Sequence, residues 1–281
     1  MGRSNERVGW RPFPGGPDVI GRAEISRLSV AGGVSEGAQE KDYVLAWLLA
    51  ARATLGPSSF VFKGGTALRR CYFPEYRYSE DLDFSADDQP SPDEIVVILD
   101  SWCEWVGDLA GIQASRLDTA RSRGGTAYVG YVGPLRAADG RSIKIDVAVD
   151  EAIRDGTDRR ALLSEYSDLA GGDYLIDVYP LTEIWAEKTR ALIQRSEPRD
   201  LYDLHQLVED APIVPAEARD LFRRKAIAKS LDPDRLLERL EEREGIWERL
   251  WRQRLETQVR DLPAFDGVWR RVIRVLRQAG Y

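Results

Sequence analysis

The chain has 281 residues, 43% of them hydrophobic and 31% charged, enough for one large or two modest domains with a substantial core. Its net charge of −7 argues against a uniformly basic nucleic-acid binder; no apolar run approaches the roughly 18 residues of a membrane span, and the start MGRSNERVGWRPFPGG lacks the apolar centre of a secretory signal. The two cysteines, Cys71 and Cys103, have no zinc spacing and sit in apolar contexts, so the expectation is a cytoplasmic protein with reduced, packed thiols.

In chain order, the first sixteen residues, rich in Gly, Pro and Arg, read as an irregular arm, followed by a short helix ending at Gly32 and Gly33. Ser35 is the predicted N-cap of a helix in which Tyr43, Val44, Trp47, Leu48 and Ala51 recur at three and four. SFVFKGG reads as a short buried strand running into a glycine turn, TALRRCYF as the helix it opens, and DLDFSA as a second strand. Pro92 and Asp93 start a further helix, with Val96, Leu99, Trp102, Cys103 and Val106 on its predicted inner face. The runs IQASRLDTAR, TAYVGYVGPL and RSIKIDVAVD, separated by turns around Gly124, Gly125 and Gly140, predict an antiparallel extension of the sheet. Beyond DYLIDVYP the chain turns almost wholly helical, punctuated by Pro212, Pro215, Pro233 and Pro263. These patterns divide it into an arm (1–34), an α/β core with a mixed sheet (35–180) and an α-helical C-terminal domain (181–281). Trp102, Trp105, Trp185, Trp247, Trp251 and Trp269 fall at helical core positions.

Charge is uneven. From Ala216 to Tyr281 there are 16 Lys and Arg against 12 Asp and Glu, leaving about −11 on the rest, so this tail is the place to expect a polyanion unless it is an ordinary charge-laced bundle.

The chemistry concentrates in a few stretches. In SEDLDF, Asp81 and Asp83 leave one face of a strand; such close like charges need a compensating cation, and hard oxygen ligands suit Mg2+ or Mn2+. KGGT, with Lys63, Gly64, Gly65 and Thr66, makes a strand-to-helix turn without side chains to keep a phosphate away, and Thr66 can cap the helix and also donate its hydroxyl. The longer phosphate loop and the dinucleotide fingerprint are absent. IKIDVAV places Asp146 and Lys144 on one face of a later strand, a third carboxylate for a two-metal phosphoryl-transfer site. Ser79 precedes Asp81 by two residues on the same predicted face. Lys188, among apolar helical neighbours, either snorkels out or points into a cleft. Asp200, at the start of a helix, has a helix-dipole explanation of its own, and Asp203 lies one turn on. A lone histidine, His205, anchors no zinc site.

KGGTALRR followed by YRYSEDLDF, IKIDV, EIWAEKTRALIQR and RDLYDLHQL, over about residues 40 to 210, resembles the AbiEii family of nucleotidyltransferase-like toxins, which includes the mycobacterial MenT proteins. The resemblance implies a polymerase-β or minimal nucleotidyltransferase core with a helical C-terminal region. It maps the acidic pair onto Asp81 and Asp83, the glycine turn onto Gly64 and Gly65, the later lysine onto Lys188, and a further acidic site onto Asp200 in preference to Asp203. Thr66 stands where related transferases often carry Ser directly after the first glycine.

The expected activity is Mg2+-dependent transfer of an NMP from an NTP to an acceptor hydroxyl, a tRNA 3′ end, arresting translation. Lys63, Gly64, Gly65, Thr66, Ser79 and Asp203 are the candidate nucleotide contacts. Asp81, Asp83, Asp146, Lys188 and Asp200 are the candidate catalytic residues, the first three as metal ligands. The implied partner is an antitoxin, acting by phosphorylating Ser79 or by repression, on a monomer. Two other readings keep the residues: an aminoglycoside-like small molecule or a protein side chain as acceptor, or a non-catalytic nucleotide- or RNA-binding module.

Overall fold

The computed structural model describes residues 19–86, 88–118, 125–137, 140–149, 151 and 156–281. Most of the N-terminal arm, Gly124 and Asp150 therefore lie outside the described residues. The chain folds as helix α1 (Arg22–Gly32), helix α2 (Glu36–Leu55), strand β1 (Phe60–Lys63), a single turn α3 (Gly64–Ala67) that widens through Leu68–Tyr72, and strand β2 (Asp81–Ala86). Helix α4 (Pro92–Ala110) and strands β3 (Gln113–Leu117), β4 (Thr126–Val132), β5 (Ser142–Ala148), β6 (Asp158–Ala161) and β7 (Leu175–Val178) follow. Helices α5 (Leu181–Gln194), α6 (Pro198–Asp210), α7 (Arg219–Ala228), α8 (Leu236–Leu255) and α9 (Phe265–Gln278) complete it.

The seven strands among the described residues form one mixed sheet in the order β3-β4-β5-β2-β1-β7-β6. β3, β4 and β5 pair antiparallel, the extension expected from their alternation. β2 joins β5 in parallel and β1 antiparallel, so the strand with the acidic pair is central. The short, mostly exposed β6 was not legible as a strand, because DRRA has no apolar alternation.

The sheet is two-faced. Phe60, Phe62, Leu82, Phe84, Ile143 and Ile145 are buried on one face, where the Trp102 ring of α4 lies 6.2 Å from Phe60 and 5.7 Å from Phe84. α2 is buried from Tyr43 to Ala51, and is capped as expected by Ser35 Oγ, which accepts from the Ala38 N–H at 3.1 Å. α4 starts with a reciprocal Ser91–Glu94 capping box. Its inner face is Ile95, Leu99, Trp102, Cys103, Val106 and Ala110: Ile95 takes the inward place expected for Val96, because it lies four residues before Leu99, one turn along the same stripe. Trp185, Trp247, Trp251 and Trp269 are core residues, Trp105 is half-buried, and both cysteines are buried and free. The opposite face of β1, β2 and β5 carries the charges.

Candidate active site

Strand register assembles the centre of the site. Lys63 on β1 stands opposite Asp83 on β2, and Asp83 opposite Asp146 on β5, while Asp81 stands opposite Lys144. Residues paired this way share a face, so three strands contribute one row, Lys63, Asp83 and Asp146. Burial raises the pKa of Asp81, opposed by Lys41, Arg199 and Lys144. Burial also raises that of Asp83; Asp81 and Asp146 add to the rise and Lys63 and Lys188 oppose it.

The glycine turn is built around these residues. Gly64 has φ +83, and a Cβ there would lie 2.7 Å from Asp83 Oδ2. A Cβ on Gly65 would lie 2.4 Å from Arg77 Nη2. Both glycines thus let the chain close onto the acidic pair and the arginine behind it. Thr66 does not cap the helix as expected: its buried hydroxyl donates to the Asp81 carbonyl at 2.5 Å, pinning the turn to β2. Lys63 is buried and paired with Glu151, with Glu187 at 3.9 Å.

The helical half supplies a second constellation. Lys188 on α5 points inward, which excludes snorkelling, and its Nζ lies 3.1 Å from Asp200 Oδ1 and 2.7 Å from Asp203 Oδ2 on α6. Asp200 also accepts from Arg195 Nε at 2.8 Å and Nη2 at 3.1 Å. Asp203 accepts from Arg77 Nε at 2.6 Å, Arg77 Nη2 at 2.8 Å and the Tyr76 hydroxyl at 2.7 Å. Both aspartates are fully buried, which favours the neutral acid, yet their pKa values are lowered: Lys188 and Arg195 outweigh burial at Asp200, and Arg77 and Lys188 at Asp203. These are tethered carboxylates, unlike the under-compensated pair on β2.

A family model described as "Nucleotidyl transferase AbiEii toxin, Type IV TA system" matches residues 47–271, four fifths of the chain. The chain belongs to the AbiEii nucleotidyltransferase toxin family. Its fold is similar to that of MenT4, a nucleotidyltransferase toxin from Mycobacterium tuberculosis H37Rv, with a TM-score of 0.71 and 21% sequence identity over 92% of this chain and 89% of that one. No curated protein matches the chain.

Membership of the AbiEii family makes the protein a nucleotidyltransferase toxin with an antitoxin partner, and removes the non-catalytic module. AbiEii nucleotidyltransferases generally use an NTP and a divalent metal. Asp81 and Asp83 fit such an ion, as neighbouring carboxylates whose charge is incompletely balanced. Asp146 is turned to the Lys144 ammonium and accepts from Thr126 Oγ1 at 2.6 Å. Among the described residues no three metal-ligating side chains converge on one point, so recruiting Asp146 means turning it away from Lys144. No helix among the described residues is long and apolar enough to cross a membrane.

Ser79 lies just before β2, not on it, because the strand begins at Asp81. It is half-buried, and its hydroxyl makes no hydrogen bond among the described residues. His205 is half-buried near Glu209, Asp210 and Arg271; burial lowers its pKa. Arg77 and Arg195, which sequence reasoning did not single out, hold the two buried aspartates. Arg77 even lies within the motif stretch YRYSEDLDF, but only its contact with a residue 126 positions away shows its use.

Proposed function

We propose that this AbiEii-family enzyme transfers an NMP from an NTP to a hydroxyl at the 3′ end of a tRNA, using Mg2+, and so arrests translation. The observation that carries the reading is the placing of Asp81, Asp83 and Asp146 on one sheet face, with the Gly64–Gly65 turn closed against Asp83. Divalent metal bound there supplies neutralisation of the triphosphate charge and a more acidic acceptor hydroxyl. Asp81 and Asp83 would hold the ion, and Asp146 would take part only by leaving Lys144. Lys188 lends positive charge beside Asp83 and is kept in place by Asp200 and Asp203. Lys63 and the glycine turn form the wall against which the nucleotide phosphates rest. Thr66 holds that wall to β2 through the Asp81 carbonyl.

The acceptor reading is supported by the cations around Asp81, which are Lys41, Arg199 and Lys144 from three different elements, although Lys41 also faces Glu80 and Lys144 faces Asp146. They favour a polyanionic acceptor and disfavour a cationic aminoglycoside. The C-terminal excess of positive charge contributes less than its count suggests, since Arg223, Arg235, Arg239, Arg271 and Arg277 are each paired with a carboxylate. The reading includes a monomer acting in the cytoplasm, and an antitoxin that silences it by repression or by phosphorylating Ser79, where added negative charge next to the acidic pair repels the triphosphate.

The test is incubation with Mg2+ and each α-labelled NTP in turn, with total tRNA, whole-cell protein or an aminoglycoside offered as acceptor and Asp81→Ala as control. Label entering tRNA from one nucleotide and lost in the control supports the reading. Label entering protein or an aminoglycoside instead, with tRNA unlabelled, overturns the acceptor.

A further inference from the structure

Arg195 differs from the other cations of the buried constellation in its exposure. Its side chain is 48% exposed, against 10% for Lys188 and 2% for Arg77. It leaves the connection between α5 and α6 and lays one edge, Nε and Nη2, on the fully buried Asp200. A guanidinium is planar and carries five N–H donors, so a side-on pair with a carboxylate leaves the Nη1–Nη2 edge free to grip a second planar or tetrahedral oxyanion. Nη1 has no partner among the described residues. The free edge therefore has two properties a phosphate site needs: access from solvent, and an orientation fixed before the ligand arrives. The location is tied to the glycine turn by contacts, from Arg195 through Asp200, Lys188 and Asp203 to Arg77, whose Nη2 lies against Gly65.

Asp200 reads differently in this light. Its two oxygens already accept from Lys188 and from both nitrogens of Arg195, and it is 0% exposed. A general base needs a free lone pair within hydrogen-bond reach of the hydroxyl it deprotonates. Asp200 instead has the surroundings of an anchor.

We propose that Arg195 binds a phosphate of the substrate through its outer guanidinium edge, and that Asp200 is a positioning residue that aims Arg195 and Lys188. The proposal rests on the nucleotidyl-transfer reading above. The phosphate belongs either to the NTP or to the acceptor backbone, and the two sources separate kinetically.

The experiment measures KM for the NTP, KM for total tRNA, and kcat in the wild type, Arg195→Gln, Arg195→Lys, Asp200→Asn and the double variant Arg195→Gln/Asp200→Asn, with inorganic triphosphate as competing probe. Arg195→Gln is expected to raise one KM about tenfold, the size of one lost charge-assisted contact, with kcat changed much less. A raised NTP KM with a parallel rise in the inhibition constant of triphosphate assigns the nucleotide. A raised tRNA KM, with the log–log salt slope reduced by about 0.7, assigns a single-stranded acceptor phosphate. Arg195→Lys recovers little of either, because an ammonium cannot hold Asp200 and a phosphate together in the fork geometry. Asp200→Asn raises the same KM, and the double variant falls well short of the product of the two single effects, because what Asp200 still does beside Arg195→Gln is confined to Lys188, which Asp203 also holds. Arg195→Gln with both KM values within twofold of wild type overturns the proposal. So does a turnover rate that falls by two orders of magnitude or more in Asp200→Asn and multiplies with the Arg195 effect, as a proton-accepting Asp200 predicts. A wild type that transfers nothing overturns the underlying reading instead; loss of the triphosphate-induced thermal shift in Arg195→Gln then still supports the Arg195 site, and an unchanged shift sinks it.

Discussion

Arg77 grips Asp203 with two parallel hydrogen bonds, Nε to Oδ1 at 2.6 Å and Nη2 to Oδ2 at 2.8 Å, across 126 residues of chain and with both groups buried. This pair ties the segment between the glycine turn and β2 to helix α6, and Lys188 closes it from α5. Breaking it from one side leaves the buried Asp203 only the Tyr76 hydroxyl and a Lys188 that it shares with Asp200, so Arg77→Met is expected to cost about 3 kcal/mol in urea unfolding. Loss of less than about 1 kcal/mol would mean that Asp203 finds another partner.

Acid should weaken the same constellation. Asp200 and Asp203 have pKa values below those of the unfolded chain, so the unfolded state binds more protons as pH falls. Their contribution is fully present above about pH 4, the unfolded carboxylate value, and is lost as pH drops from there toward the folded values. In melting temperature against pH, Asp203→Asn is expected to start lower at neutral pH and to show a shallower decline below about pH 4.

Asp83 carries the opposite sign. Its folded pKa is raised by burial and by Asp81 and Asp146, so any stability it contributes is present at low pH and lost as pH rises through that folded value. Asp83→Asn should therefore abolish transfer while leaving the melting temperature at pH 7 unchanged or higher by about 2–4 °C, the scale of 1 kcal/mol in a chain of this size. A large fall in melting temperature would show that the ionised carboxylate, held by Lys63, is a net structural asset.

Metal binding can be followed without turnover. Mg2+ at 100 times its Kd stabilises a folded protein by about 2.7 kcal/mol, and that thermal shift should vanish in Asp81→Ala. Lys144 competes for Asp146, so Lys144→Gln is expected to lower the Mg2+ Kd severalfold. An unchanged or higher Kd would argue that Asp146 is not recruited to the ion.

The turn residues make separable predictions. Gly64→Ala combines a left-handed backbone with a Cβ 2.7 Å from Asp83 Oδ2, and should cost roughly 1–3 kcal/mol and weaken Mg2+ binding. Thr66→Val loses the bond to the Asp81 carbonyl at about 1–3 kcal/mol, while Thr66→Ser retains it. Because the Thr66 hydroxyl is already engaged, NTP KM at a temperature well below unfolding should stay within twofold in both; a selective rise in Thr66→Val would place the hydroxyl on a phosphate.

The sequence by itself determined the local pieces: the Ser35 cap, the strand carrying Asp81 and Asp83 on one face, the glycine turn before it, the β3–β4–β5 meander and the helix bearing Lys188. Each follows from spacing of two, three or four residues, which backbone geometry converts directly into a shared face. Tertiary structure alone decided that Lys63 pairs with Glu151, that Thr66 serves the Asp81 carbonyl and not a cap, that Ile95 replaces Val96 inside, and that Arg77 and Arg195 hold Asp203 and Asp200. None of these is written in a period, because a buried charge takes whichever opposite charge the packing brings within about 3 Å, and that choice depends on strand register and helix placement across the whole chain.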